Sequence, residues 1–207
     1  MIPAADALQR LRDGNRRFVQ SIRGHESDFS QPRRIELTHE QNPLAVILGC
    51  SDARVPAEIV FDQGLGDLFV IRVAGNIVAP SQIASVEFAV TRFGTRLVVV
   101  LGHSQCGAIL ATLEDLAAPG KSGSSHLWSI VDRVRPSVES LLATDLRHDV
   151  DRLVRHAVRA NVAASVNQLR HGSGILEHLV LDDGLHVVGA EYSLETGVVE
   201  FLDGPPP

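Results

Sequence analysis

The chain has 207 residues, of which 44% are hydrophobic and 21% charged, so it can bury one sizeable core and is expected to form one domain over residues 1–207. Its net charge is −6 and its 19 lysine and arginine residues are scattered, so no basic face favours nucleic acid or anionic lipid as a partner. Its partners are therefore expected to be small molecules or a second copy of the chain. The apolar runs are far shorter than the ~20 residues of a membrane span. No basic segment followed by an apolar stretch is evident near the N-terminus, which predicts a cytoplasmic protein.

The spacing of apolar residues predicts strands and helices in alternation after an N-terminal helical arm. Residues 4–19 have the pattern of an amphipathic helix broken near Gly14, and the polar residues 20–42 are predicted to form an extended arm or loop. The later predicted elements are a strand at 44–49, a short helix at 57–61, a strand at 68–73, a helix at 81–93, a strand at 97–101, a helix at 106–116, a loop at 118–125, two or three helices between 127 and 181, and strands at 185–192 and 198–202. This order is typical of an α/β fold with a central, mostly parallel sheet flanked by helices.

Both cysteines of the chain come directly after predicted strands. Cys50 follows the strand at 44–49, and His103 and Cys106 follow the strand at 97–101. Ligands of open α/β sheets bind beyond the carboxyl ends of the strands, so these three side chains are expected to converge. Two thiols and one imidazole would make a zinc site with three protein ligands and an open fourth position, which indicates catalysis rather than a structural role. Taken singly, each cysteine is more often a small buried apolar residue.

A second interpretation of the same stretch is a nucleophile elbow. The sequence from Gly102 to Cys106 nearly matches G-x-S-x-G of the α/β-hydrolases, with a strand before it and a helix after it, which would make Ser104 an acyl-transfer nucleophile. The acid and the base would then be Asp182 or Asp183 with His186, crowded within a few residues. This hypothesis gives no role to the cysteine and the two charged residues near position 50.

Those residues belong to the pattern Cys-x-Asp-x-Arg, formed by Cys50, Asp52 and Arg54 and followed some fifty residues later by His-x-x-Cys. With this spacing the chain resembles the β-class carbonic anhydrases. The resemblance covers nearly the whole chain and includes the stretches LRDGNRRFV, FDQGLGDLFVIRVAGN, SVEFAV, GHSQCGA and VVGAEYSLETG. It implies the β-carbonic anhydrase fold and the reversible hydration of CO2 to bicarbonate and a proton by zinc-bound hydroxide.

The resemblance also assigns roles to individual residues. It implies that Cys50, His103 and Cys106 are the zinc ligands and that Asp52 and Arg54 form the catalytic dyad. In a closed state of such enzymes, Asp52 would itself bind the zinc. Five further residues fall where the family binds its substrate: Gln41, Phe69, Ala74, Phe88 and Gly107. The amide of Gln41 would hold a substrate oxygen, and Phe88 stands where a tyrosine is frequent.

The family is built on dimers whose N-terminal helix and arm wrap the neighbouring subunit, so residues 1–42 are expected to contact a partner copy in a dimer or a tetramer. The apolar stripe of the first helix is consistent with burial against that partner: Leu8, Leu11, Phe18 and Val19. Two further alternatives share the zinc site. One is a relative that hydrolyses COS or CS2, and the other is a zinc-bearing interaction protein without catalytic activity.

Overall fold

The computed structural model describes residues 2–21, 28–118 and 125–202. The helices of these ranges are α1 (Ala4–Val19), α2 (Gln31–Glu36), α3 (Ala57–Val60), α4 (Pro80–Arg92), α5 (Gly107–Ala117), α6 (Ser125–Val138), α7 (Val150–His171) and α8 (Gly174–Asp182). The strands are β1 (Ala45–Gly49), β2 (Leu68–Arg72), β3 (Leu97–His103), β4 (His186–Tyr192) and β5 (Val199–Phe201). Short 3-10 turns lie at Ala74–Asn76, Glu139–Ala143 and Asp145–His148.

The strands of the described residues form one sheet in the order β2-β1-β3-β4-β5. The first three pairings in this order are parallel, and only β4 with β5 is antiparallel. Every residue of β1 and β3 is buried, because helices cover both faces of the sheet, and such strands are therefore nearly continuous apolar runs. The predicted α/β fold with a mostly parallel sheet is confirmed.

Three apolar clusters fill the spaces between the layers. One lies between α1, α3 and one face of the sheet, and a second packs α4, α7 and α8 against the opposite face. The third lies beyond the carboxyl edge of the sheet, where α5, α6 and α7 surround Cys50 and Cys106. The two cysteines therefore lie in an apolar surrounding, which weakens the competition of bulk water for their sulfur atoms.

Helix α1 differs from its prediction in two respects. It is continuous through Gly14, which is buried because the helix packs closely on α3: a Cβ at this position would lie 1.8 Å from the carbonyl oxygen of Phe61. Leu8 and Leu11 are 2% and 0% exposed within the chain's own core, so the prediction that they are buried against a partner is wrong. Of the four residues in the stripe, Val19 is exposed and Phe18 packs near the ring of Tyr192.

The segment predicted as an extended arm or loop contains the short helix α2, whose N-cap is Ser30. Residues 22–27 of this arm, and residues 119–124 of the loop predicted at 118–125, lie outside the described residues. None of the helices in the described ranges combines the length and the apolar character that crossing a membrane requires.

Candidate metal centre

The three predicted ligands meet at the carboxyl edge of the sheet. Cys50 directly follows β1, His103 is the last residue of the neighbouring parallel strand β3, and Cys106 is the N-cap of α5. Their ligand atoms all lie within 4.8 Å of one another, with 4.0 Å between the two sulfur atoms, and all three residues are buried. We call these three residues the metal centre. The parallel register of β1 and β3 produces it, because their carboxyl ends lie side by side.

The imidazole of His103 has one nitrogen bonded and one free for a metal. Its Nδ1 lies 2.9 Å from the carbonyl oxygen of Ser104. Since a carbonyl oxygen only accepts, Nδ1 carries the proton and Nε2 presents its lone pair. Nε2 is buried and has no hydrogen-bond partner among the described residues. A buried acceptor is rarely left unpaired, and a metal ion next to the two sulfur atoms would satisfy it, so the donor set fits zinc.

The two thiols perturb each other in opposite directions. A hydrogen bond from Cys106 is the main cause that lowers the pKa of Cys50, and the N–H of Gly75, 3.3 Å from its sulfur, adds to the effect. The same contact with Cys50 raises the pKa of Cys106, and burial raises it further. The pair therefore favours a single negative charge by itself, whereas a divalent cation stabilises both thiolates.

Asp52 and Arg54 form a two-point ion pair beside the metal centre. Nε and one terminal nitrogen of Arg54 donate to the two carboxylate oxygens at 2.9 and 2.7 Å, and the Arg54 backbone N–H donates at 3.0 Å. The hydrogen bonds from the guanidinium hold the pKa of Asp52 well below its usual range. Oδ2 of Asp52 lies 3.8 Å from Nε2 of His103. An ionised, oriented carboxylate therefore lies next to the free lone pair of the imidazole.

Arg72, at the end of β2, holds the loop that carries these groups. Its guanidinium donates to the carbonyl oxygens of Cys50 and Asp52 at 3.1 and 2.6 Å. No pattern in the sequence predicts this role for Arg72. A charged residue at the carboxyl end of an otherwise apolar strand is the signal that could have indicated it.

The residues predicted to bind substrate separate into two groups. Ala74 precedes Gly75, which contacts the Cys50 sulfur, and Gly107 directly follows Cys106. A Cβ built at Gly107 would meet no atom within 4 Å, so open space lies beside the metal centre at this point. Within one chain the structure brings these two residues, but not the other three, to the metal centre.

Gln41, Phe69 and Phe88 lie towards the other end of the sheet. Phe69 pairs with Val46, four residues before Cys50 and hence about 13 Å away along the strand. Its ring contacts those of Phe88 and Phe93 at centroid distances of 6.2 and 6.0 Å, and we call these three rings the aromatic cluster. Phe93 and Gln41 both line an open cavity of about 910 Å³. Phe88 is 54% exposed, so the aromatic cluster reaches the surface.

The groups of the hydrolase hypothesis do not come together. The backbone N–H of Leu194 donates to Oγ of Ser104, which lies just beyond the carboxyl end of β3. His186 pairs with Leu97 at the opposite end of this strand, roughly 20 Å away. Because His186, the predicted base, lies at the far end of the strand, the predicted triad cannot form, so the interpretation of Ser104 as its nucleophile is wrong.

Comparisons with known proteins agree with this geometry. Residues 45–199 match the family model described as carbonic anhydrase. The chain is 41% identical over 195 residues to a carbonic anhydrase of Mycolicibacterium smegmatis, covering 94% of this chain and 91% of the relative. It is 40% identical over 200 residues to carbonic anhydrase 2 of Mycobacterium tuberculosis, covering 95% and 92%.

Solved structures give the same result at lower identity. The β-carbonic anhydrase CafA of Aspergillus fumigatus superposes with a TM-score of 0.75 at 26% identity, covering 98% of this chain and 92% of that one. One of two tetrameric β-carbonic anhydrases of Sordaria macrospora gives a TM-score of 0.73 at 26% identity, covering 84% and 88%. These findings show that the chain, which carries the Cys-His-Cys cluster at the carboxyl edge of its sheet, belongs to the β-class carbonic anhydrase family.

Proposed function

We propose that this protein catalyses the reversible hydration of CO2 to bicarbonate and a proton, with zinc held by Cys50, His103 and Cys106. The observation that carries the proposal is the buried, unpaired Nε2 of His103 within 4.8 Å of two free thiols. When bound, zinc lowers the pKa of a water molecule and so supplies hydroxide at near-neutral pH.

Asp52 and Arg54 orient the attacking group. Because Arg54 keeps Asp52 ionised, the carboxylate can only accept hydrogen bonds, so it holds the O–H proton of the attacking oxygen and turns a lone pair of that oxygen towards CO2. Arg72 fixes the backbone on both sides of the carboxylate and so limits its movement. Movement of Asp52 onto the metal in a closed state would require its two-point contact with Arg54 to break.

The substrate space is completed by a second copy of the chain. Ala74 and Gly107 supply its near side, whereas Gln41 and the aromatic cluster are too far from the metal centre of their own chain to contribute there. The partial exposure of Phe88 supports a position against a partner, with the partner's Gln41 donating its amide to a substrate oxygen. The wrapping segment would then lie after α1, within the arm up to residue 42, and the assembly is a dimer or a tetramer.

We also place the protein in a reducing compartment, the cytoplasm, because both cysteines are free thiols and the metal binds them only in the reduced form.

The chemistry of CO2, which is small and carries no charge, agrees with an apolar pocket built from phenylalanine rings.

The direct test is stopped-flow CO2 hydration by protein whose zinc content has been measured. One zinc per chain with rapid hydration supports the proposal. One zinc with hydrolysis of COS or CS2 but slow CO2 hydration would instead identify the other enzyme, and zinc without either activity would identify an interaction protein.

The shared site is tested by mixing two variants. Asp52→Asn damages the dyad, and Gln41→Ala removes the amide. If the partner supplies Gln41, a hybrid dimer of the two variants contains one site with both groups intact. Co-refolded mixtures should therefore be more active than either variant alone. If Gln41 acts within its own chain, no hybrid site is intact, and mixing gives only the mean of the two activities.

A further inference from the structure

Helix α7 buries two polar side chains on a face that is otherwise apolar. Asn161 and Ser165 are 2% and 3% exposed and lie one helical turn apart. The other buried residues of this helix are Leu153, Val154, Ala157, Val158, Val162, Val166 and Leu169. Burial of a polar group costs free energy unless the group is hydrogen-bonded, so the partners of these two side chains indicate what they are for.

Both side chains bind the 3-10 turn that follows β2. Nδ2 of Asn161 donates to the carbonyl oxygen of Gly75 at 2.8 Å, and Oγ of Ser165 donates to the carbonyl oxygen of Asn76 at 3.1 Å. The two bonded pairs are 86 and 89 residues apart in the sequence. The two bonds therefore attach the turn to the centre of the longest described helix.

The attachment acts on a turn whose backbone is left-handed at two residues. Gly75 and Asn76 have φ of 73° and 42°, so two consecutive residues lie in the left-handed region. For a residue other than glycine such a conformation costs free energy, and it persists where the surrounding structure enforces it. Glycine is required at 75 for a second reason, since a Cβ there would lie 3.0 Å from that of Ala108.

The enforced conformation aims one N–H at the metal centre. The backbone nitrogen of Gly75 lies 3.3 Å from Sγ of Cys50 and donates to it. A hydrogen bond to a thiolate ligand withdraws charge from the sulfur and so weakens its donation to the metal. The path from α7 to the metal ligand thus runs from Asn161 to the carbonyl group of Gly75, through this residue to its N–H, and on to the Cys50 sulfur.

We propose that Asn161 is a positioning residue for the metal centre, which holds the Gly75 N–H against the Cys50 thiolate and thereby tunes the bound metal, with Ser165 as a weaker second support. This role rests on the proposed function only through its metal site. It assigns a purpose to a residue on a helix that supplies none of the ligands.

The first test measures the hydrogen bond directly in the wild-type protein loaded with 113Cd. A hydrogen bond from an amide to a metal-bound sulfur transmits spin coupling between the amide proton and the cadmium. We expect a proton–cadmium correlation from the Gly75 amide. Binding of one cadmium per chain without this correlation would overturn the positioning role and leave the metal site standing, whereas failure to bind cadmium, cobalt or zinc would overturn the proposed function itself.

The second test uses Asn161→Ala, with Val166→Ala as the matched control. Val166 is buried on the same helix and packs in the cluster between α7 and the sheet, so its truncation removes apolar packing but no hydrogen bond to the turn. In cobalt-substituted protein, Asn161→Ala should shift the sulfur-to-cobalt charge-transfer band and speed metal loss about tenfold. Ser165→Ala should shift the band less, and Val166→Ala should leave it as in the wild type.

If Asn161→Ala matches Val166→Ala in both the charge-transfer band and the rate of metal loss, then Asn161 only stabilises the core. If Asn161→Ala does not fold, Asn161→Ser replaces the amide donor by a shorter hydroxyl donor, and the same comparison is made with that variant.

Discussion

The metal centre and the aromatic cluster differ in how much of their surroundings one chain supplies. At the metal centre the ligands, the carboxylate and the arginines that hold it all come from neighbouring strand ends of one sheet. The aromatic cluster, by contrast, leaves Phe88 exposed beside an open cavity. The reactive groups are thus fixed by the fold of one subunit, whereas in the proposed function the substrate space is completed by a second subunit.

The largest expected effect comes from removing a ligand. Cys50→Ala, Cys106→Ala or His103→Ala should abolish zinc binding and CO2 hydration together, because the remaining donors leave the coordination incomplete. Metal analysis and stopped-flow hydration on the same sample measure both. His186→Ala, which changes an imidazole at the other end of the sheet, is the control and should keep both. A cysteine variant with one zinc per chain and normal hydration would contradict the assignment.

The next effect in size concerns Arg54. Arg54→Gln should keep the metal but lower kcat by about 10- to 100-fold, because Asp52 loses the partner that orients it. Arg16→Gln, which breaks an exposed ion pair with Asp13 on α1, is the matched control and should not change kcat.

The same variant has a pH signature. The pKa of Asp52 is lowered in the folded chain, so the ion pair stabilises the fold fully above the ordinary aspartate pKa of about 3.9, and its contribution is lost as the pH falls towards the folded value. The melting temperatures of wild type and Arg54→Gln should therefore differ near neutral pH and converge below about pH 4. A difference that persists undiminished at lower pH would show another cause.

A smaller effect is expected at the open space beside the metal centre. Gly107→Ala should lower kcat/KM by about tenfold, because its methyl group occupies the near side of the substrate space. Gly174→Ala is a close control, since Gly174 is also the first residue of a helix and its added Cβ also meets no atom within 4 Å. Both variants should raise the unfolding free energy slightly, by at most about 1 kcal/mol. Equal kcat/KM in the two variants would show that substrate does not approach Gly107.

The smallest effect on catalysis is expected for Ser104→Ala. The variant should retain most CO2 hydration and lose about 1 kcal/mol of unfolding free energy, because the N–H of Leu194 loses its acceptor. Stopped-flow hydration and denaturant unfolding measure the two quantities. Loss of all activity in a folded, zinc-loaded variant would instead show that the hydroxyl of Ser104 takes part in catalysis.

The strands and the ligand set could be predicted from the sequence because their signals are local. A buried parallel strand is a short apolar run, and Cys50, His103 and Cys106 come at or just after the ends of two such runs. The rest depends on contacts between distant segments. Apolar periodicity identifies the buried face of α7 but does not reveal that Asn161 reaches Gly75, 86 residues away.

At Gly14 a local signal is present, but it gives the wrong prediction because packing overrides it. Glycine weakens a helix, so the local signal predicts a break, whereas the close packing of α1 on α3 keeps the helix continuous. The position of Gln41 relative to the metal centre has no local signal, because within one chain this residue lies towards the other end of the sheet, beside the open cavity.

The contacts of α1 determine what an exchange of this helix between subunits would require. Next to Gly14, Asn15 donates to the carbonyl oxygens of Val60 and Gly197 and accepts the N–H of Val199, so it joins α1 to both α3 and β5. If neighbouring subunits exchanged α1, each of these bonds would have to break and re-form with the same partners in the other subunit. An exchange of α1 would therefore have to carry Asn15 and its three hydrogen bonds as a unit, together with the burial of Leu8 and Leu11.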